Sequence, residues 1–329
     1  MKKILIIQTA SIGDVILATP VAEKLHLFYP NASIDLLVKK GNESLFEGHP
    51  FLHEVLVWNK KEKKYANLHQ LGHRIRKTRY DIVVNLQRFA STGILTACSG
   101  ARMTIGFDKN PFSFFFTKKI KHRIEPGMHE TERNNDLIRE LTDGVNMPPK
   151  LYPPADALAD LEFMKSLSGN MYTISPASLW FTKQFPKEKW IAFMKLIPAT
   201  STICLLGSKQ DSSLCEELIS ASGHPGALNL AGRLSFLQSA ALMKRAKMNF
   251  TNDSAPMHLA SSVDAPVTVI YCSTVPGFGF GPLSTDSTVA ETDEPLLCRP
   301  CGLHGFRECP EKHFRCGFNI ALEKLTTRL

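Results

Sequence analysis

Along this chain apolar residues gather in short unbroken runs, separated by longer segments in which they recur at helical spacing. KKILII (2–7), SIDLLV (33–38), EVLVW (54–58) and DIVVNL (81–86) read as strands in the first half. Between them Asp14–Phe28 and Tyr65–Lys77 read as helices. The second half repeats the theme, with strands at MYTISP (171–176), TICLLG (202–207), ALNLAG (227–232), MNFTND (248–253) and PVTVIY (266–271). Its helices are expected at Glu188–Leu196, Ser212–Ser222, Ser235–Lys244 and from Pro256 onward, and a short terminal helix at Ile320–Leu329.

Strand–helix alternation at this spacing predicts an α/β fold in which helices cover both faces of parallel sheets. The proline-rich joint MPPKLYPPAD (147–156) reads as a linker. With 329 residues, more than one core holds comfortably, two domains follow: 1–150, then 151–319, ending in the helix 320–329. The expected architecture is two doubly wound domains facing across a cleft. Open parallel sheets bind ligands beyond the carboxyl ends of their strands, so the loops that follow the strands hold the candidate chemistry.

Composition changes this picture little. Hydrophobic residues at 43% and charged residues at 21% are those of an ordinary globular protein. The net charge of +8 favours an anionic partner: a phosphorylated small molecule, an anionic membrane surface or nucleic acid. No recognised nucleic-acid module accompanies it. No apolar run approaches the roughly 18–20 residues of a membrane span. The opening MKK-ILII has the charge of a signal peptide, but Gln8 and Asp14 interrupt it, so a buried first strand and a cytoplasmic protein are expected.

Three of the loops carry unusual residues. In TASIGD (9–14), Ser11, Gly13 and Asp14 stand where a strand turns into a helix; Ser11 or Asp14 serves as a helix cap, or Asp14 as a carboxylate presented to a ligand. The single glycine does not make a dinucleotide fingerprint. In TNDSAPMHLA (251–260), Asp253 ends a strand, Ser254 and Ala255 open a helix, and His258 lies one turn in. Such a helix start suits an anion or a sugar hydroxyl, or else Asp253 merely caps it and His258 is a satisfied, semi-buried side chain. In SPASLWFTKQFPKEKW (175–190), Ser178, Thr182 and Lys183 follow a strand and suit a phosphate, or leave Lys183 solvated.

Taken in order along the chain, these motifs resemble glycosyltransferase family 9, the bacterial heptosyltransferases of the lipopolysaccharide inner core. YDIVVNLQ, SGARMTIGFD (99–108), LLGSKQD and NLAGRLSF fall at the family's spacing, and CRPC…HFRC is similar to the tail of its second-heptose members. The resemblance implies a GT-B architecture of two Rossmann-like domains, acceptor in the first and nucleotide sugar in the second. It implies inverting transfer of heptose from ADP-heptose, with no metal or other cofactor required. Asp14 then matches the general base, with Ser11 and Gly13 beside the acceptor. Lys183 and Ser178 match contacts to the diphosphate, Asp211 an acid near the ribose, and Leu234 the backbone position at the adenine. Asp253, Ser254, Ala255 and His258 match the segment that meets sugar and phosphates, although the family usually has D-T-G where this chain has D-S-A.

The implied acceptor is an anionic, lipid-linked core oligosaccharide, reached by peripheral contact with the inner membrane. Lys63 and Lys64, within the basic run that also holds Lys60 and Lys61, suit it, or form a solvated loop. FSFFF (112–116) is expected in the core, the alternative being contact with acyl chains. Cys298, Cys301, Cys309 and Cys316 offer a structural zinc site, two reduced pairs or a disulfide. Two other functions fit the same residues: transfer of another sugar, such as a hexose or N-acetylhexosamine, and non-catalytic nucleotide-sugar binding, against which Asp14 and Lys183 together argue.

Overall fold

The computed structural model describes residues 1–166 and 169–329. The chain divides into two compact units, Met1–Tyr152 and Pro153–Leu329. In the first, strands β1 (Lys3–Ile7), β2 (Ser33–Lys39), β3 (Leu52–Trp58), β4 (Ile82–Asn85), β5 (Met103–Phe107) and β6 (Lys118–Ile120) form one parallel sheet in the order β3-β2-β1-β4-β5-β6. Helices α1 (Ile12–Ile16), α2 (Thr19–Phe28), α3 (Lys64–Thr78), α4 (Ala90–Ala97) and α5 (Glu130–Asp136) connect them.

The second unit repeats the plan with β7 (Met171–Ser175), β8 (Thr202–Leu205), β9 (Ala227–Asn229), β10 (Met248–Asn252), β11 (Val267–Tyr271) and β12 (Ser287–Glu291). Its helices are α6 (Lys187–Leu196), α7 (Ser212–Ser222), α8 (Phe236–Arg245), α9 (Ala255–Ser261), α10 (Arg315–Phe318) and α11 (Glu323–Thr326). The order β12-β11-β10-β7-β8-β9 is that of the first sheet, written from the other edge. Both units are therefore Rossmann-like.

Ile4–Ile7 pairs with Ile34–Leu37 on one side and Ile82–Asn85 on the other, and all four of its side chains are fully buried. A central strand covered on both faces has no solvent side, which is why the run is unbroken rather than alternating. Leu5, Ile7, Leu37, Trp58, Ile75 and Val83 pack together there, each worth roughly 1.5–3 kcal/mol of burial. In the second unit Tyr172, Ile174, Trp190, Phe193 and Phe250 form the core, and Ile320 and Leu325 of the terminal segment join it.

Three expectations need correction. The helix expected over Asp14–Phe28 is two helices, α1 and α2. Pro20 stands in the first turn of α2, where its missing N–H costs nothing, whereas inside one long helix it would break a hydrogen bond. Thr19 Oγ1 donates to the Ile16 carbonyl at 2.7 Å and so satisfies the end of α1. The terminal helix narrows to the single turn α11. Third, Phe114 and Phe115 are not core: they are 66% and 60% exposed, and only Phe116 of that run turns inward.

Identical topology fixes where ligands belong. Sheet growth reverses between β1 and β4, and again between β7 and β10. The loops after those four strands flank the crevice at each switch point. All three motif loops begin there.

Candidate active site

At the first switch point the chain leaves β1 through Gln8 and Thr9 and enters α1 at Ser11. Asp14 is the third residue of α1, and its Oδ2 accepts from the Ser11 backbone N–H at 3.1 Å and from the Ser11 hydroxyl. The capping reading of the motif is thus realised, in a carboxylate that stays half-buried at the carboxyl end of β1. Gly13 is buried within α1 and takes no positive φ, which leaves close backbone approach as the use of its missing side chain.

Neighbours of Asp14 come from far along the chain. Glu130 opens α5, and burial pushes its carboxyl above the ordinary range; the bonded Arg133 opposes this and the charge of Asp14 adds to it. Arg88, after β4, also acts on Glu130. Burial, then Arg88 and Arg133, hold His122 down to about 4.

Beneath the loop lies a polar floor. Gln8 Oε1 accepts from Ala10 N–H at 3.3 Å and from Gln87 Nε2. Lys60 Nζ donates to the Thr9 carbonyl at 2.6 Å; burial, then Lys39 and Lys64, push its amine down to about 8. Lys63 and Lys64 are exposed at the start of α3. Lys60 is therefore the lysine that reaches the loop. No local signal singled it out, because the contact spans 51 residues.

At the second switch point Lys183 Nζ lies 2.6 Å from Asp253 Oδ2, both side chains largely buried. Thr274 Oγ1 donates to the same carboxylate oxygen at 2.6 Å. Asn252, fully buried at the end of β10, accepts from Phe185 N–H at 2.9 Å and donates to the Pro176 carbonyl at 2.8 Å. It ties the loop after β7 to the loop after β10, a positioning role the sequence reading did not assign. Within the first of these loops Gln184 Nε2 donates to the Ser178 carbonyl at 2.7 Å. Ser254 and Ala255 are half-buried at the start of α9, while His258 is buried behind them, its ring 6.5 Å from that of Phe280.

The loop of Lys183 is held from the other side by the cysteine-rich tail. Thr182 N–H donates to the Phe306 carbonyl at 3.1 Å, and Phe306 N–H donates to Thr182 Oγ1 at 2.7 Å. Ser273 Oγ donates to Thr182 Oγ1 at 3.1 Å, and Cys301 N–H to the Ser273 carbonyl at 2.8 Å. Gly305, at φ +77°, sits so close that a methyl group there would lie 2.9 Å from Thr182 Oγ1 and 3.0 Å from Lys183 Cγ. Arg299 adds three donations to the carbonyls of Tyr271, Cys272 and Thr274 and pairs with Glu291.

Two expected donor contacts lie further along the same sheet edge. Asp211 closes the capping box of the single turn 209–211 that leads into α7, accepting from Ser208 N–H and Oγ, both at 2.7 Å. Leu234 lines a cavity of about 210 Å³ with Leu230, Arg233, Leu161 and Phe163. Of the three states open to the cysteine cluster, reduced thiols are the one seen, and among the described residues no three His, Cys, Asp or Glu side chains are arranged to hold a metal ion. Cys316 is buried in the apolar core, which raises its thiol to about 12, and the Cys301 thiol turns to the Cys298 carbonyl. Cys298 Sγ is 3.9 Å from His313 Nε2, and all eight thiols are free.

The model of glycosyltransferase family 9 (heptosyltransferase) matches residues 68–302. The chain belongs to this family. It is a glycosyltransferase, with the two Rossmann-like units that the family's solved structures share. Among curated family members, lipopolysaccharide heptosyltransferase 3 of Escherichia coli is 28% identical over 276 residues, 80% of this chain and 81% of that protein. Lipopolysaccharide heptosyltransferase 1 of Pseudomonas aeruginosa is 23% identical over 318 residues, 91% of this chain and 86% of its own length. The structure of E. coli ADP-heptose lps heptosyltransferase II superposes with a TM-score of 0.80 at 22% identity, covering 100% of this chain and 98% of that one. Members named lipopolysaccharide heptosyltransferase 1, 2 and 3 all match, so overall identity does not single out the second type. No helix among the described residues is long and apolar enough to cross a membrane.

Proposed function

We propose that this glycosyltransferase moves a heptose from ADP-heptose onto the inner core of lipopolysaccharide, with inversion and without a metal. The observation that carries the reading is the Lys183–Asp253 pair at the second switch point. An ammonium held against one carboxylate, on loops fixed by Asn252 and Thr182, is placed to exchange that partner for a diphosphate.

In this reading the acceptor lies on the first unit and the donor on the second. Asp14 removes the proton from the attacking hydroxyl, whose oxygen bonds to the anomeric carbon on the face opposite the nucleotide. The bond from that carbon to the β-phosphate oxygen breaks, and its electron pair leaves with ADP. Lys183 neutralises the charge that grows on the departing diphosphate, the service a cation gives in other transferases. Ser178, Ser254 and Ala255 line the sugar and phosphates, with Asp211 toward the ribose and Leu234 toward the adenine. The relatives named above are lipopolysaccharide heptosyltransferases, which supports this choice of donor and acceptor.

Ala255 favours a second reading, in which the donor carries a different sugar. It stands half-buried at the start of α9, where the family usually has glycine, and its methyl group narrows the space beside the sugar. Incubation with ADP-heptose and with other nucleotide sugars, with and without a Kdo–lipid A acceptor, separates the two by nucleoside diphosphate release. Acceptor-dependent ADP release that vanishes in Asp14→Ala is expected. Undiminished release in that variant would remove Asp14 as the base.

A further inference from the structure

A run of aromatic side chains that the fold leaves outside lies on the first unit. Phe114 and Phe115 are 66% and 60% exposed, their rings 4.1 Å apart, with the Phe112 ring 6.4 Å from each. Phe89, 62% exposed, lies on the adjoining segment, because Asn110 Nδ2 donates to its carbonyl at 3.1 Å. The α4 helix packs against residues 113–115, and a methyl group on its Gly93 would lie 3.0 Å from Phe112 Cβ. The aromatic run and Phe89 thus belong to one joined surface. Contiguous apolar exposure of this kind marks an interaction site rather than chance.

Charge selects the partner. From Arg88 to Lys121 the sequence carries Arg88, Arg102, Lys109, Lys118, Lys119 and Lys121 against one carboxylate, Asp108. Arg102 and Lys118 are engaged with Asp81 and Glu140, whereas Arg88, Lys109, Lys119 and Lys121 are exposed. Exposed aromatics among cations match an anionic bilayer surface, where rings enter the headgroup–acyl boundary and ammonium groups meet phosphates. An acidic protein partner would satisfy the lysines but leave the phenylalanines unmatched; a second copy of this basic surface would set cation against cation.

The patch is wired to the candidate site. Asn110 Nδ2 donates to the Gln87 carbonyl at 3.0 Å, Gln87 Nε2 to Gln8 Oε1, and Ala10 N–H to that same oxygen at 3.3 Å, one residue before Ser11. We propose that Phe114 and Phe115, flanked by Arg88, Lys109, Lys119 and Lys121, seat the first unit on an anionic lipid surface. This rests on the proposed function, since a lipid-linked acceptor is presented at such a surface.

The test is co-sedimentation of the full chain with phosphatidylcholine vesicles, with and without a minority of phosphatidylglycerol. Binding that requires phosphatidylglycerol, weakens with salt and falls about tenfold or more in Phe114→Ser/Phe115→Ser is expected. Unchanged thermal melting in the double variant excludes misfolding, because both side chains are already exposed. Equal sedimentation of variant and wild type, or no sedimentation of wild type, overturns the proposal. So does a wild-type dimer in ultracentrifugation that the double substitution dissociates while vesicle binding stays unchanged, which assigns the patch to a second copy. Vesicle binding is read without any transfer reaction, so failure here leaves the donor and acceptor assignment standing.

Discussion

Two short stretches of this chain, Ser11-Ile12-Gly13-Asp14 and Ser208-Lys209-Gln210-Asp211, fold almost identically. In each, the serine backbone N–H and hydroxyl both donate to one oxygen of the aspartate three residues on. Their settings differ. The first follows β1, beside the reversal of the sheet, and the buried Glu130 feels its charge. The second follows β8, one strand removed from the reversal, and opens the eleven-residue α7, which ends at Gly223 in the left-handed conformation. A capping box is a local solution to unsatisfied N–H groups and says nothing about chemistry. In the proposed reading, place in the topology is what separates a carboxylate that takes a proton from one that contacts only the donor's ribose.

Replacing each aspartate by asparagine breaks or sharpens that comparison most directly. Asparagine still accepts hydrogen bonds but cannot take a proton. Asp14→Asn is expected to lower kcat by on the order of a thousandfold with little change in thermal midpoint. Asp211→Asn should change kcat only a few-fold, its effect falling on donor KM. Equal losses of kcat at both positions would mean that topology does not distinguish them. Next in size, Lys183→Ala should reduce kcat/KM by about a hundredfold, measured by ADP release, with the donor the substrate affected.

Most strands were legible because burial on both faces leaves an unbroken apolar run, as in Ile4–Ile7 and Val267–Tyr271, whereas β5, β6 and β12 were not among the expected strands. The α5 segment ETERNND carries no apolar residue and gave no periodic signal, yet it delivers Glu130 and Arg133 to the first site. Asp14, Lys183 and Asp253 could be named from motif order. Their partners could not, since Thr182 meets Phe306 across 124 residues and Asn252 meets Pro176 across 76. FSFFF misled for a physical reason: an apolar run signals the core only when it is strand or amphipathic helix. Here a tight turn over 113–115 sends Phe116 inward and Phe114 and Phe115 outward.

The hold of the tail on the Lys183 loop gives a smaller and more selective effect. Gly305→Ala places a methyl group against Thr182 Oγ1 and Lys183 Cγ in a left-handed backbone that alanine disfavours. Donor affinity is expected to fall about tenfold and stability by about 1–2 kcal/mol, while the acceptor KM stays unchanged. Calorimetric titration with ADP reads the first and urea unfolding the second. A loss of stability without loss of ADP affinity would show that the tail braces the unit but does not set the position of Lys183.

The smallest expected effect is the response of the first unit to acid. His49 of the first unit packs edge-on against Phe51 and Tyr152, and burial, then His26 and Lys150, hold it at about 4. His122 is held at about 4 as well. An unfolded histidine takes up its proton near pH 6.5, so below that value the unfolded state binds protons that these two folded rings refuse. Their stability contribution is complete above about pH 6.5 and is lost as pH falls toward about 4. Because both rings are partly open to solvent, the loss by pH 5 is about 1 kcal/mol each rather than the full amount. In His49→Phe, which keeps the stacking and removes the titration, urea midpoints at pH 7 and pH 5 should draw closer by that amount. An undiminished drop would place the acid sensitivity elsewhere, and comparison with His122→Phe then shows whether the ring beside Arg88 and Arg133 carries it.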